Sequence, residues 1–155
     1  RRFGWWLGER PRAGNWGRRT GNLGSGKTTL TQGLADGLGV RGPITSPTFV
    51  IAREHPSLSA GPPLVHVDAY RLAGRAELDD LDLDTALDEA VTVVEWGGGL
   101  VEQLSGDRLE VRLQRPAEPE EDTRRVSIRG VGPRWEGVLV PVPGGDVGPG
   151  PGRLQ

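Results

Sequence analysis

The sequence predicts an α/β fold built on a mixed sheet, with antiparallel strands toward the C-terminal side. Three observations lead there. Val91-Thr-Val-Val-Glu95 is a β-branched run of the kind buried on both faces of a parallel sheet. A glycine-rich turn from Gly21 to Gly26 opens directly onto a segment with Leu30, Leu34 and Leu38 at helical spacing. Two late segments, residues 108–113 and 124–129, alternate apolar and polar side chains as half-buried strands do.

Taken in order, residues 1–20 read RRFGWWLGERPRAGNWGRRT and show no period of two or of 3.6, because Gly, Pro and Arg interrupt every apolar cluster. In this fold class the turn at Gly21 hangs from an apolar strand, yet Arg18 and Arg19 stand where that strand belongs. Burying even one unpaired guanidinium costs several kcal/mol, so the segment is expected not to form a well-packed central strand. A reading-frame shift upstream of about Thr20 would account for this and for the absence of methionine, position 1 included. Lys27–Leu38 reads as a helix with Gly39 as its C-terminal stop.

Residues 48–52 form a short β-like run, and Leu64–Asp68 is a second apolar run that ends in an acid. Residues 75–87 are acidic and read as helix in two pieces. Val91–Glu95 again ends in an acid, and the two alternating segments after it are joined by the linker Glu118-Pro-Glu-Glu-Asp122. From Pro141 onward the chain is Pro/Gly-rich and expected to be unstructured. The division is therefore an atypical lead-in over 1–20, one domain over 21–135, and a disordered tail over 136–155.

A length of 155 residues allows one domain with a real core. The formal net charge of −2 gives no global basic signature for gripping nucleic acid alone. No apolar run approaches the roughly 20 residues of a membrane helix, and no basic-then-apolar leader is present, so no membrane partner and a cytoplasmic location are expected. The absence of cysteine excludes disulfides, thiolate metal sites and cysteine nucleophiles together.

The chemistry concentrates at Gly21-Asn-Leu-Gly24-Ser25-Gly26-Lys27-Thr28, which fits G-x-x-x-x-G-K-[ST]. The glycines let successive N–H groups point at phosphate oxygens, and the helix opening at Lys27 adds its dipole to the same anion. Lys27 brings a point charge to β- and γ-phosphates, where a planar guanidinium fits the loop poorly. Thr28 offers a hydroxyl to Mg²⁺. A chance match is the competing reading, since a chain with 25 glycines makes such patterns cheaply. Against it, Lys27 is the single lysine among 19 basic residues, and it stands where the loop requires one.

A phosphate loop needs a partner acid, and in doubly wound sheets that acid sits at the carboxyl end of a strand. Glu95 ends the most β-branched run and is the first candidate; Asp68 is the second. The series Asp80-x-Asp82-x-Asp84 hints at a calcium loop but has Thr85 where Gly is needed and Val91 where Glu is needed, so that reading fails. His55 and His66 have no companion ligands and read as structural.

The string GNLGSGKTTLTQGLADGLG, then SPTF at 46–49, HVDAYRL at 66–72 and VVEW at 93–96, resembles the TsaE (YjeE) family in order and spacing over about residues 21–131. The resemblance implies a P-loop NTPase three-layer sandwich and a Mg²⁺-dependent ATPase. Such an enzyme joins TsaD-type and TsaB-type proteins in making threonylcarbamoyladenosine in tRNA, which it reaches only through that complex. It further implies that Gly21, Gly24, Ser25, Gly26, Lys27, Thr28 and Thr29 wrap the phosphates of ATP, and that Thr28 and Glu95 hold Mg²⁺. Ser46 and Thr48 would sense the nucleotide, while Lys27, Asp68, Glu95 and Trp96 act near the γ-phosphate. The alternative is a small-molecule or nucleotide kinase of the same loop class, for which no lid segment is evident. Asn22 departs from the family's usual Asp, and residues 1–20 depart from its apolar lead-in strand.

Overall fold

The computed structural model describes residues 16–20 as backbone, and residues 26–45, 52–69, 89–95, 105–114 and 125–138 with side chains. Its strands are β1 (Trp16–Thr20), β2 (Ala52–His55), β3 (Leu64–Asp68), β4 (Val91–Glu95), β5 (Arg108–Gln114) and β6 (Arg125–Val131). They form one sheet in the order β2-β3-β4-β1-β5-β6. The pairs β3–β4, β4–β1 and β1–β5 are parallel, and β2 and β6 close the two edges as antiparallel strands. The fold is thus α/β with a mixed sheet and an antiparallel strand at the C-terminal side. A second antiparallel strand lies at the other edge.

The helix α1 (Lys27–Leu38) lies across one face of this sheet. Ala35 and Leu38 pack with Val40, Ile44, Leu64, Val91 and Val93, while Leu30 packs with Leu109, Val111 and Leu113 of β5. Because side chains alternate across a strand, Leu64, His66 and Asp68 of β3 share this face with Val91, Val93 and Glu95 of β4. Every residue of β4 is buried, as its uninterrupted β-branched run predicts. Gly39 stops α1 in the left-handed conformation at φ 65°. Its N–H donates to the carbonyl of Asp36 and that of Val40 to Ala35, the paired closure that glycine permits at a helix end.

One expectation needs correction. Residues 16–20 form a regular strand in the centre of the sheet, paired on both sides, not the missing or displaced element expected from Arg18 and Arg19. A strand between two partners satisfies its whole backbone ladder, and strand preference depends more on such surroundings than on the residues themselves. At the β2 edge, of the expected run 48–52 only Ala52 is described, and the strand continues from there to His55. Arg53 and Glu54 are exposed, and charged residues on an edge strand hide the 2-residue period while guarding against edge pairing. The helical reading of 75–87 and the tail beyond 138 lie outside the described residues.

His55 ends β2 at 5 % exposure and donates from Nδ1 to the carbonyl of Arg41 at 3.2 Å. Burial is the largest influence on its pKa and lowers it from 6.5; the Arg41 carbonyl opposes this, and the nearby charges of His66 and Arg53 add to the lowering. The unfolded chain therefore binds the proton more readily than the folded one. Stability should be full above about pH 7 and fall as the pH drops through the ordinary histidine range. A His55→Phe variant should flatten the decline of Tm measured between about pH 7.5 and 5; an unchanged slope would mean that His55 is not its source.

Candidate functional site

The site is built where β1 ends and α1 begins. Thr20 closes β1, Gly26 caps the helix and Lys27 is its first residue. Gly26 has φ 98°, a conformation that L side chains rarely adopt, and nothing lies within 4 Å of where its Cβ would be. No side chain caps this helix end and its first turn holds no acid. The leading N–H groups of α1 have no carbonyl of their own helix to reach, and the positive end of the helix dipole meets no acid within the helix's own first turn. A strand, a glycine-bearing turn and an acid-free helix start together suit an anion.

Lys27 is 7 % exposed, and the Oγ1 of Thr31 donates to its carbonyl at 3.1 Å. Thr28 is half-buried and Thr29 exposed. Across the sheet the register sets Asp68, Glu95 and position 19 of β1 in one row, one residue before β1 ends. Both candidate acids thus stand at the carboxyl edge from which the glycine-rich turn departs, where ligands bind in sheets of this class. Glu95 is buried at 4 % exposure, whereas Asp68 is half-buried. The structure therefore brings Gly26, Lys27, Thr28, Asp68 and Glu95 to one edge. Gly21, Gly24, Ser25, Ser46, Thr48 and Trp96 lie outside the described residues.

One neighbour of Glu95 escaped the sequence reading. His66 is fully buried on β3, and its Nε2 lies 2.9 Å from Oε1 of Glu95. The two residues are diagonal neighbours on the face that carries α1, a relation that exists only once β3 and β4 are in register. Two candidate acids ended β-runs, but nothing in the local pattern ties a histidine inside one run to the acid ending another.

The donor set also bears on a metal. Among the described residues no group of three or more His, Cys, Asp or Glu could hold an ion. Mg²⁺ does not need such a cage; it commonly takes one or two carboxylates and leaves the rest of its shell to phosphates and water. Thr28 and Glu95 fit that pattern. A separate groove of about 290 Å³, lined by Glu110, Arg112, Gln114, Ser127 and Arg129, lies on the β5–β6 hairpin and contains none of these residues.

Comparison with known proteins is consistent with this geometry. The family model "Threonylcarbamoyl adenosine biosynthesis protein TsaE" matches residues 1–126, the atypical lead-in included. A Streptomyces coelicolor tRNA threonylcarbamoyladenosine biosynthesis protein TsaE is 59% identical over 126 residues, covering 80% of this chain and 85% of that protein. The Bacillus subtilis protein of the same name is 39% identical over 117 residues, covering 75% of this chain and 70% of its own. The crystal structure of Bacillus subtilis YdiB superposes with a TM-score of 0.67 at 32% identity, over 86% of this chain and 80% of that one.

Proposed function

The chain belongs to the TsaE family, and from that premise we propose that it binds and hydrolyses Mg²⁺-ATP within the assembly that forms threonylcarbamoyladenosine in tRNA. The observation that carries this reading is the shared edge of the sheet. A glycine with positive φ delivers the buried Lys27 at a helix start, and the buried Glu95 stands in the row next to the loop's departure. Lys27 and the first N–H groups of α1 bind and orient the phosphates. Thr28 and Glu95 would hold Mg²⁺, and the ion would supply Lewis-acid stabilisation of charge during phosphoryl transfer. Asp68, in register with Glu95, sits where it can orient a water or tune the edge's charge.

Phosphoryl transfer depends on groups that stabilise charge on the departing phosphoryl, and among the described residues at this edge only Lys27 is cationic with a placed side chain. On the family reading, the further charge comes from partners of the TsaD and TsaB type, with tRNA met only through them. Phosphate release should be slow for the isolated chain and rise at least about tenfold when TsaB-type and TsaD-type proteins are added. Rapid turnover by the chain alone would remove the partner dependence. Transfer of phosphate to a small acceptor would make the protein a kinase.

A further inference from the structure

We propose that His66 is a positioning residue for the reaction, holding the Glu95 carboxylate in one orientation for Mg²⁺; this rests on the ATPase reading above. Packing alone gives no reason for an imidazole at this position. Its neighbours on the α1 face are the apolar Leu64, Val91 and Val93 and the acids Asp68 and Glu95, and an apolar side chain there would pack against the first three without burying a polar atom of its own. His66 instead buries Nδ1 with no hydrogen-bond partner while Nε2 meets Glu95 Oε1 at 2.9 Å. An orphaned buried polar atom costs stability, so the residue's contribution lies in the bond that it does make.

The direction of that bond follows from the chemistry of the two groups. An ionised carboxylate only accepts, so the proton is on Nε2 and the imidazole donates. His66 and Glu95 have side-chain exposures of 0% and 5%, so water does not compete for the bond. A glutamate carboxylate turns freely about its last torsion; a short bond to a ring locked inside the sheet removes that freedom. Carboxylates that ligate metals are characteristically held by such an outer hydrogen bond, and losing it typically costs 10- to 100-fold in metal affinity or activity.

Two amides test this. In His66→Gln the amide nitrogen lies near the place of Nε2, and in His66→Asn it lies near that of Nδ1, one bond too short to reach Glu95. Each variant is melted to establish folding. The apparent Mg²⁺ affinity is then titrated through a fluorescent ATP analogue, and turnover is measured with the TsaB-type and TsaD-type partners. His66→Asn should bind Mg²⁺ about 10- to 100-fold more weakly while its metal-free nucleotide affinity is unchanged, and His66→Gln should recover most of the loss. In a Glu95→Gln background the two amides should differ less than about twofold, because His66 acts through the carboxylate. Equal Mg²⁺ affinity for the folded Asn and Gln variants overturns the positioning role, as does the same difference persisting without the Glu95 carboxylate. A wild-type chain that does not bind Mg²⁺-ATP overturns the ATPase reading instead, and that is established before any variant is compared.

Discussion

Glu95→Gln should lower ATP turnover by about 10²- to 10³-fold while nucleotide binding remains measurable. Gln is nearly isosteric, so it fills the same buried space at 4 % exposure, and its carbonyl still accepts the His66 bond. What is lost is the negative charge at the carboxyl end of β4. Removing one buried charge from a site that expects a cation need not unfold the protein, since ion desolvation is itself expensive. The phosphates would still meet Lys27 and the start of α1, so binding survives where chemistry fails. Thr28→Ala should abolish hydrolysis in parallel, because it removes the other protein oxygen assigned to Mg²⁺. A steady-state phosphate-release assay beside a binding titration separates the two effects. Wild-type release by Glu95→Gln would end the assignment of Glu95 to the metal.

The parts of this arrangement differ in how far the sequence reveals them. Lys27–Leu38, Leu64–Asp68 and Val91–Glu95 were expected with the bounds that the structure has. In each, one pattern dominates: leucines every four residues in the helix, a nearly unbroken buried run in the strands. β1 was not legible, because WGRRT carries neither pattern and its place is set by partners far along the chain. His66 was legible only as a structural histidine; its contact with Glu95 spans 29 residues of sequence and depends on the β3–β4 register. The acids were readable because each ends a strand, and ends of parallel strands gather at one edge whatever the order of the strands. That asymmetry is general: periodicity reports what a segment buries, whereas a site is made by which segments become neighbours.

The second large effect concerns Lys27. Lys27→Met keeps most of the aliphatic stem and removes the ammonium, so the buried first turn of α1 stays filled. Nucleotide binding should weaken by about 100-fold or more, corresponding to about 2.7 kcal/mol, within the range for deleting one side of a buried charge contact. Lys27→Arg is the sharper comparison. Eighteen arginines serve this chain wherever a cation is needed elsewhere, against a single lysine, so charge alone does not explain the choice. A guanidinium is planar, broad and forked, whereas an ammonium is a compact point charge of the kind a phosphate-binding helix start uses. Lys27→Arg should therefore lose most of the binding that Lys27→Met loses, although its charge is intact. Calorimetric titration with ATP and Mg²⁺ reads both variants on one scale, and circular dichroism melting confirms that each is folded. Binding by Lys27→Arg within about threefold of wild type would show that the site asks only for positive charge, and the lone lysine would then need an explanation outside the phosphate loop.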